Sequence, residues 1–278
     1  MSLATLTEVL KRAEEGNYAV GNFDCFNLEM VKGVLKAASE LRAPVIIAYG
    51  EPFIKHIDMP YFASAVRSMA EATEIPVVLH TDHYTDPDNI KKAIDCGFTS
   101  VMADFSDKPY ETNVENTKKI AALAHKCGVS VESELGHVSG LGDIFEDDSH
   151  VFTDPERASD FVERTGIDAL AVSIGNVHGI YKAEPKLRFD ILKEISSETG
   201  VPLVLHGASG IPDEDIKKAV SLGIRKVNYY TDMCVAAVKS IEAESGRHLF
   251  DLCGTIVEEC YRTARQKILV LKQENEQK

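Results

Sequence analysis

The chain contains eight short runs of apolar and β-branched residues, separated by stretches in which apolar residues recur with helical spacing. Each run is too short for a helix and too uniformly apolar for a half-exposed strand, which is typical of parallel strands covered on both faces. A strand followed by a helix, repeated eight times, predicts an α/β fold of the (β/α)₈ TIM-barrel type. The runs begin at Tyr18, Ala43, Ile75, Thr99, Val129, Asp168, Val201 and Arg225.

Local signals mark where several helices begin and end. Asp86-Pro87 and Asp154-Pro155 each place a capping Asp before a Pro in the first helical turn. Five helical stretches end on a glycine, which suits the left-handed residue that closes many helices. These glycines are Gly97, Gly128, Gly166, Gly200 and Gly223. Because the composition has no break, we predict one barrel domain over residues 1–278, with extra helices after Asp232 that cover the barrel or contact a second subunit.

Charge and composition exclude several classes of partner. The chain has 30 Lys and Arg against 44 Asp and Glu, a formal charge of −14, so it lacks the basic patch that nucleic-acid binding requires. No apolar run approaches the roughly 20 residues of a membrane span. The six cysteines form no C-x-x-C pair, which fits free thiols in a reducing compartment. We therefore predict a cytoplasmic protein that contacts neither nucleic acid nor membrane.

Three histidines follow three different predicted strands at the end where barrel enzymes carry their reactive groups. His83, His178 and His206 are therefore expected to converge, with Asp82 beside them. Three imidazoles with an open fourth position are the ligand set of a catalytic Zn²⁺ or another divalent cation. His80 is compatible with a role behind the metal site or with a hydrogen-bonded place in the core. Four other histidines are predicted to lie on the surface: His56, His125, His150 and His248.

Small residues after strands six to eight predict a phosphate site. Backbone N–H groups in glycine loops and at helix N-termini bind phosphate without a net positive charge, and strands seven and eight are its usual place in barrels. The candidate residues are Gly179, Gly207, Ala208, Ser209, Asn228, Tyr229, Tyr230 and Thr231.

Five motifs together resemble the class II, metal-dependent ketose-bisphosphate aldolases, which split fructose 1,6-bisphosphate or tagatose 1,6-bisphosphate. They are LHTDH, SVESELG, GNVHGIYK, LHGASGIP and KVNYYTD, in the order and spacing of that family. The resemblance implies that the three histidines bind zinc and that Asp82 moves the proton on the C4 oxygen. It also implies that the phosphate-site residues hold a dihydroxyacetone phosphate moiety, the other product being glyceraldehyde 3-phosphate.

The same resemblance suggests further metal positions and an assembly. Asp104 and Glu134 are expected in the metal region, where the glutamate can serve an alternative metal position. A monovalent cation, Na⁺ or K⁺, is expected near the glycines after strands six and seven. The phosphorylated ketose is the expected small-molecule partner, and a homodimer or homotetramer is the expected assembly.

Three positions depart from the family pattern. The mobile glutamate that moves the proton at C3 aligns with Gly142, and Asp143 or Glu146 is a candidate substitute. Tyr230 stands where fructose-bisphosphate enzymes commonly have Asp. Tyr49-Gly50-Glu51 stands where a small serine is usual, and both it and Tyr230 are expected to neighbour the substrate. These changes suggest a retained donor half and an altered aldehyde half.

Other functions are compatible with this pattern. The barrel could act on a different ketose 1-phosphate, or it could be a catalytically inactive partner subunit. A Schiff-base aldolase or a metal-dependent sugar-phosphate epimerase would use the same fold. Lys182 and Lys226 are the lysines nearest the rim, but Lys182 follows a loop and Lys226 lies early in its strand, so neither is expected to be a buried nucleophile.

Overall fold

The computed structural model describes residues 3–138, 152–181, 184–243, 246 and 248–273. Within these residues, parallel strands pair in chain order and the last pairs with the first, closing a barrel. The predicted (β/α)₈ barrel is therefore confirmed. The strands are β1 (Val20–Asp24), β2 (Val45–Gly50), β3 (Val77–Asp82), β4 (Ser100–Ala103), β5 (Ser130–Leu135), β6 (Ala169–Val172), β7 (Leu203–Leu205) and β8 (Ile224–Tyr229).

Helices alternate with the strands, and one helix precedes β1. They are α1 (Leu6–Gly16), α2 (Leu28–Glu40), α3 (Met59–Glu71), α4 (Pro87–Asp95), α5 (Tyr110–Lys126), α6 (Pro155–Thr165), α7 (Phe189–Glu198), α8 (Asp213–Ser221), α9 (Thr231–Ala243) and α10 (Leu249–Leu271). A short 3₁₀ helix, Glu51–Lys55, follows β2. None of the described helices is long and apolar enough to span a membrane.

The predicted helix boundaries are confirmed with one exception. The side chains of Asp86 and Asp154 accept hydrogen bonds from the N–H groups two residues ahead, at 2.9 and 3.1 Å. Four of the five predicted closing glycines have positive φ. The prediction for Gly200 is wrong, because α7 ends at Glu198 and the extended residue Thr199 closes it. The Thr199 hydroxyl donates to the Ile195 carbonyl, which satisfies that end of the helix without a left-handed glycine.

The barrel interior changes from apolar to polar along the strand direction. Near the N-terminal ends, inward-facing side chains pack against Leu6 and Leu10 of α1 in one buried cluster, so α1 closes that end. The strand members of the cluster are Val20, Ile46, Val78, Met102, Ala169, Ala171 and Val204. Side chains alternate between the two faces of a strand, and several inward residues farther along are polar, among them His80, Glu132 and Lys226. These side chains lead up to the rim where the site lies.

The last helix covers the outside of the barrel. Helix α10 packs along α2 and also contacts α9, α8 and β1. Gly33 allows the close approach of α2, since a Cβ there would lie 2.5 Å from the Val257 carbonyl oxygen. The expectation that the extra C-terminal helices cover the barrel is confirmed. The assignment of all 278 residues to one domain stays a prediction.

Candidate active site

The three rim histidines converge on one point. His83 Nε2 lies 3.1 Å from His178 Nε2 and 2.8 Å from His206 Nδ1. His83 is held in the left-handed region at φ 50°, an uncommon backbone conformation for a residue with a side chain and one that recurs at functional sites. The closed barrel thus brings together imidazoles from the ends of β3, β6 and β7.

Hydrogen bonds from behind orient two of the three rings and direct their other nitrogens at the shared point. Asp104 Oδ2 lies 2.7 Å from His83 Nδ1, and Glu132 Oε1 lies 2.8 Å from His206 Nε2. A carboxylate accepts a hydrogen bond from the N–H that it contacts, so when the ring is neutral the other nitrogen presents its lone pair. His178 hydrogen-bonds the backbone of Val138. The three converging nitrogen atoms are therefore better partners for one shared cation than for each other.

The electrostatic setting differs among the three rings. Burial lowers the pKa of His83, but Asp82 and the hydrogen bond to Asp104 outweigh this and raise it to about 10. Burial and the neighbouring His83 lower the pKa of His178 to about 4, and the same causes hold the pKa of His206 well below its usual range. Two neutral imidazoles beside one cationic ring and several carboxylates form a set that a divalent cation fits, since it would take the place of the His83 proton.

Asp82 lies beside this cluster without belonging to it. Its oxygens are 4.0 Å from His83 Nε2 and 4.0 Å from His206 Nδ1. Asn228 donates a 2.9 Å hydrogen bond from Nδ2 to Asp82 Oδ1. Burial raises the pKa of Asp82, but the neighbouring histidines, His83 first, lower it overall. The carboxylate is thus oriented close to the candidate metal position and open to the cavity above it.

The two remaining predicted metal residues lie on one side of His83. His83, Asp104 and Glu134 bring one possible ligand atom each within 4.8 Å of one another. Glu134 Oε1 accepts a 2.9 Å hydrogen bond from the Val138 N–H, while Oε2 has no partner among the described residues. Burial and the charge of Asp104 raise the pKa of Glu134 to about 8. This group could hold a cation in place of, or in exchange with, the three-histidine position.

A cavity of about 350 Å³ opens above the histidines. One side is formed by the loops after β6, β7 and β8, where Gly179, Gly207, Ser209 and Thr231 line it. Gly207 must be a glycine, because its φ is 61° and a Cβ would lie 2.3 Å from the Val177 carbonyl oxygen. Tyr181 fixes the two loops together, donating to the Gly207 carbonyl at 2.9 Å and accepting from the Val177 N–H at 3.0 Å.

Helix α9 begins at Thr231 on the same side. The first N–H groups of a helix have no partner within it, so they are donors for an anion. One of them, the Asp232 N–H, donates to Ser209 Oγ at 3.1 Å and thereby fixes that hydroxyl. Two predicted substrate residues do not line the cavity. The Ala208 N–H donates to the Asn228 carbonyl, and Tyr229 is fully buried against Phe23 outside the barrel wall. Their contacts with substrate stay predictions.

The other side of the cavity comes from β1, the end of β2 with the 3₁₀ helix after it, and the residue before α9. Its lining residues are Asp24, Gly50, Pro52, Phe53 and Tyr230. Tyr230 therefore lies at the cavity as expected, and so does Gly50. Two of the other expected neighbours do not line it. Tyr49 faces outward, stacks on Phe62 and donates to the Ile57 carbonyl, whereas Glu51 accepts hydrogen bonds from Thr85 and Asn89.

The expectation for Tyr49 is wrong because alternate strand residues face opposite sides, and Gly50 is the inward one. The candidates for the missing proton-transfer glutamate, Gly142, Asp143 and Glu146, lie outside the described residues. Lys182 and His150 also lie outside them.

Lys226 is fully buried although it lies early in its predicted strand, and the expectation that it is not a nucleophile stays a prediction. It faces inward from the middle of β8, and its Nζ lies 2.9 and 2.8 Å from the two oxygens of Glu132. It does not line the cavity. His80 lies in the same layer, 2.8 Å from Ser100 Oγ and 3.4 Å from Lys226 Nζ, and so is a hydrogen-bonded core residue.

Sequence reasoning missed three residues of the site. Asp24 lines the cavity, Glu132 holds His206, and His137 lies 3.3 Å from Ser106 Oγ at the rim. Asp24 and Glu132 could have been found as isolated charged residues inside predicted buried strands, because a buried charge requires a partner. His125 and His248 are exposed, as predicted, and so is His56.

Comparisons with known proteins agree with this geometry. The family model described as "Fructose-bisphosphate aldolase class-II" matches residues 4–276. The chain is 44% identical over 247 residues to the fructose-bisphosphate aldolase of Staphylococcus aureus, covering 87% of this chain and 85% of that protein. It is 43% identical over 244 residues to the probable fructose-bisphosphate aldolase of Bacillus subtilis, covering 87% and 86%.

Among solved structures, the chain is similar to the YdjI aldolase from Escherichia coli K12. The TM-score is 0.89 at 38% sequence identity, and 97% of each chain is covered. The family match spans nearly the whole chain, and the barrel and motif positions agree with it. The chain therefore belongs to the class II fructose-bisphosphate aldolase family, a family of lyases that perform aldol cleavage.

Proposed function

We propose that the protein is a metal-dependent aldolase that reversibly cleaves a ketose 1-phosphate to dihydroxyacetone phosphate and an aldehyde. The carrying observation is the convergence of His83, His178 and His206, with nitrogens 2.8 and 3.1 Å apart, beside an oriented Asp82. Fructose 1,6-bisphosphate and tagatose 1,6-bisphosphate are the first substrates to consider, since the family model and the curated relatives are named for fructose-bisphosphate aldolase.

The resident cation is proposed to be Zn²⁺, because three imidazoles are its usual catalytic ligands. His83, His178 and His206 would hold it, and Asp104 and Glu132 would orient the first and last of these rings. When bound, it supplies Lewis-acid stabilisation of the negative charge that develops next to the ketone carbonyl. The three-histidine cluster fits this role because the carboxylates behind two of its rings hold the far nitrogens and so direct the facing nitrogens at one point.

Asp82 is proposed to handle the proton on the C4 oxygen. On cleavage it accepts that proton while the C3–C4 bonding electrons move to C3, and in condensation it returns the proton to the new C4 oxygen. Asn228 donates a hydrogen bond to Oδ1 and thereby keeps the carboxylate oriented. A group within reach of the transferred proton and aligned before binding meets the geometric requirement for general acid–base catalysis.

The 1-phosphate is proposed to bind the side formed by Gly179, Gly207, Ser209 and Thr231. Helix N-terminal and loop N–H groups supply donors there without requiring a lysine or arginine. A monovalent cation near these glycines, a cytoplasmic location and a homodimeric or homotetrameric assembly stay predictions. So does the transfer of the C3 proton by Asp143 or Glu146.

The test is release of dihydroxyacetone phosphate from fructose 1,6-bisphosphate, tagatose 1,6-bisphosphate and a panel of ketose 1-phosphates. Each assay is run with the purified protein, after EDTA, and after zinc is restored. Release that EDTA abolishes and zinc restores is the expected result. Chelator-resistant release with a borohydride-trapped lysine adduct would establish Schiff-base chemistry instead. Bound zinc with no cleavage of any substrate would establish the inactive partner subunit.

A further inference from the structure

The cavity has two chemically different sides. The side formed by the loops after β6 to β8 offers glycines, a hydroxyl and a helix N-terminus. A neighbouring groove shares Gly179, Ser209 and Thr231 with it and also contains Lys239 and Lys267. Cationic groups therefore lie near this side, which suits the phosphate of the donor half.

The other side carries an aromatic wall. The Phe53 and Tyr230 rings have centroids 5.6 Å apart, and Phe26 lies 5.6 Å from Phe53 and 6.4 Å from Tyr230. Phe53 and Tyr230 line the cavity, with Phe26 packed behind them. Ring faces offer an apolar surface with no strong hydrogen-bond donors, so they cannot replace the water around a phosphate dianion.

Asp24 provides the polar group of this side. Its side chain lines the cavity although the residue is only 7% exposed, and Oδ1 has no hydrogen-bond partner among the described residues. A buried oxygen without a partner is costly unless something else supplies a donor. Oδ1 accepts a hydrogen bond whether or not the carboxyl group is ionised, and a ligand hydroxyl is the donor that the cavity can bring to it.

The described residues on this side do not suit a second phosphate. No Lys or Arg is among the described residues that line the cavity. A terminal phosphate would face two aromatic rings and the Asp82 carboxylate, whereas the Asp24 carboxyl group, whose pKa burial and Asp82 raise well above its usual value, can meet a neutral hydroxyl. Like charges brought together out of water are strongly unfavourable, and such contacts are a common way of excluding a ligand.

We propose that the aldehyde half of the substrate is an uncharged, polyhydroxylated chain that packs on Phe53 and Tyr230 and donates a hydroxyl to Asp24 Oδ1. The substrate is then a ketose 1-phosphate without a second phosphate. This inference rests on the proposed function, because it assumes the donor half and the aldol chemistry. It narrows the substrate class from ketose phosphates in general to ketose monophosphates.

The experiment runs the zinc-loaded protein in the condensation direction with dihydroxyacetone phosphate and matched aldehydes. The pairs are glyceraldehyde with glyceraldehyde 3-phosphate, and erythrose with erythrose 4-phosphate. We expect kcat/KM to be about tenfold or more higher for the unphosphorylated aldehyde of each pair than for the phosphorylated one. Unpaired buried polar groups readily supply a discrimination of this size. Equal values, or a preference for the phosphorylated member, would overturn the proposal.

A separate measurement distinguishes failure of this inference from failure of the proposed function. Exchange of the C3 proton of dihydroxyacetone phosphate with deuterium in the solvent reports the donor half and the metal without any aldehyde. If the C3 proton exchanges but the phosphorylated aldehydes are preferred, only the proposed substrate specificity is rejected. The absence of both exchange and condensation rejects the proposed function and this inference with it.

Asp24→Leu tests the acceptor oxygen directly. It removes the oxygen offered to the ligand hydroxyl at a similar volume, so kcat/KM for erythrose should fall about two- to tenfold, the usual effect of losing one hydrogen bond. Asp24→Asn is the matched control, since it keeps an acceptor oxygen at the same position and should retain most of the activity with erythrose. Equal losses in both variants, or no loss in Asp24→Leu, would contradict the role of Asp24. Phe53→Ala should lower kcat/KM for erythrose, and no loss would contradict the aromatic wall.

Discussion

The charged groups below the three histidines, toward the N-terminal ends of the strands, are paired with one another, whereas two oxygens above them lack partners. Below, Lys226 Nζ lies within 2.9 Å of both oxygens of Glu132, and His80 completes the layer. Above, Asp24 Oδ1 and Asn228 Oδ1 have no partner among the described residues. Buried polar atoms are normally satisfied. The difference indicates that the lower layer fixes geometry and that the upper atoms are reserved for a ligand.

The sharpest test lies at the boundary between the two regions. His178→Ala removes one candidate ligand and leaves the layer below intact. Loss of the metal removes several kcal/mol of charge stabilisation, so we expect cleavage to fall about a thousandfold or more. Zinc content by atomic emission should fall together with activity. Full zinc content with lost activity would place His178 among the substrate contacts instead.

A change above the histidines should affect turnover and not metal content. Asp82→Asn keeps the size and the Asn228 contact but cannot accept the C4 hydroxyl proton. We expect kcat to fall about a hundred- to ten-thousandfold, the usual contribution of a positioned acid–base group, with zinc still bound. Exchange of the C3 proton should fall much less than cleavage, because that step does not involve the C4 oxygen. Equal losses in both assays would contradict this assignment.

A change in the lower layer should affect the metal and the fold. Glu132→Gln removes the carboxylate that orients His206 and leaves Lys226 buried without its counter-charge. Zinc affinity, measured by competition with a chelating dye, should fall about ten- to a hundredfold. The free energy of unfolding should fall by about 3–5 kcal/mol, as for other broken buried ion pairs.

The double variant Glu132→Gln with Lys226→Met separates these two effects. Removing the unpaired cation should restore much of the stability, since apolar replacements of buried ion pairs are often neutral or better. Zinc affinity should stay low because His206 still lacks its carboxylate. Recovery of zinc affinity together with stability would show that Glu132 acts only through the fold.

The sequence predicts the barrel and the rim histidines because both signals are local. The apolar runs and the residue directly after each run suffice to place His83 and His206. The partnership of Glu132 with Lys226 joins residues 94 positions apart and depends on the barrel register, which no local pattern contains. The same register decides that Gly50 faces the cavity and Tyr49 does not. Whether Asp24 faces the cavity or the outside of the barrel likewise depends on the alternation along the whole strand.

The smallest expected effect comes from the rim loops, where Tyr181 joins the Gly207 carbonyl to the Val177 N–H. Tyr181→Phe removes both hydrogen bonds and keeps the ring that packs beneath Gly210. Hydrogen bonds of this kind contribute about 0.5–1.5 kcal/mol each, so KM for a ketose 1-phosphate should rise about two- to tenfold. The value of kcat should change little, because the histidines and Asp82 are untouched. A fall in kcat with constant KM would show that these loops act on the reacting carbons and not on the phosphate.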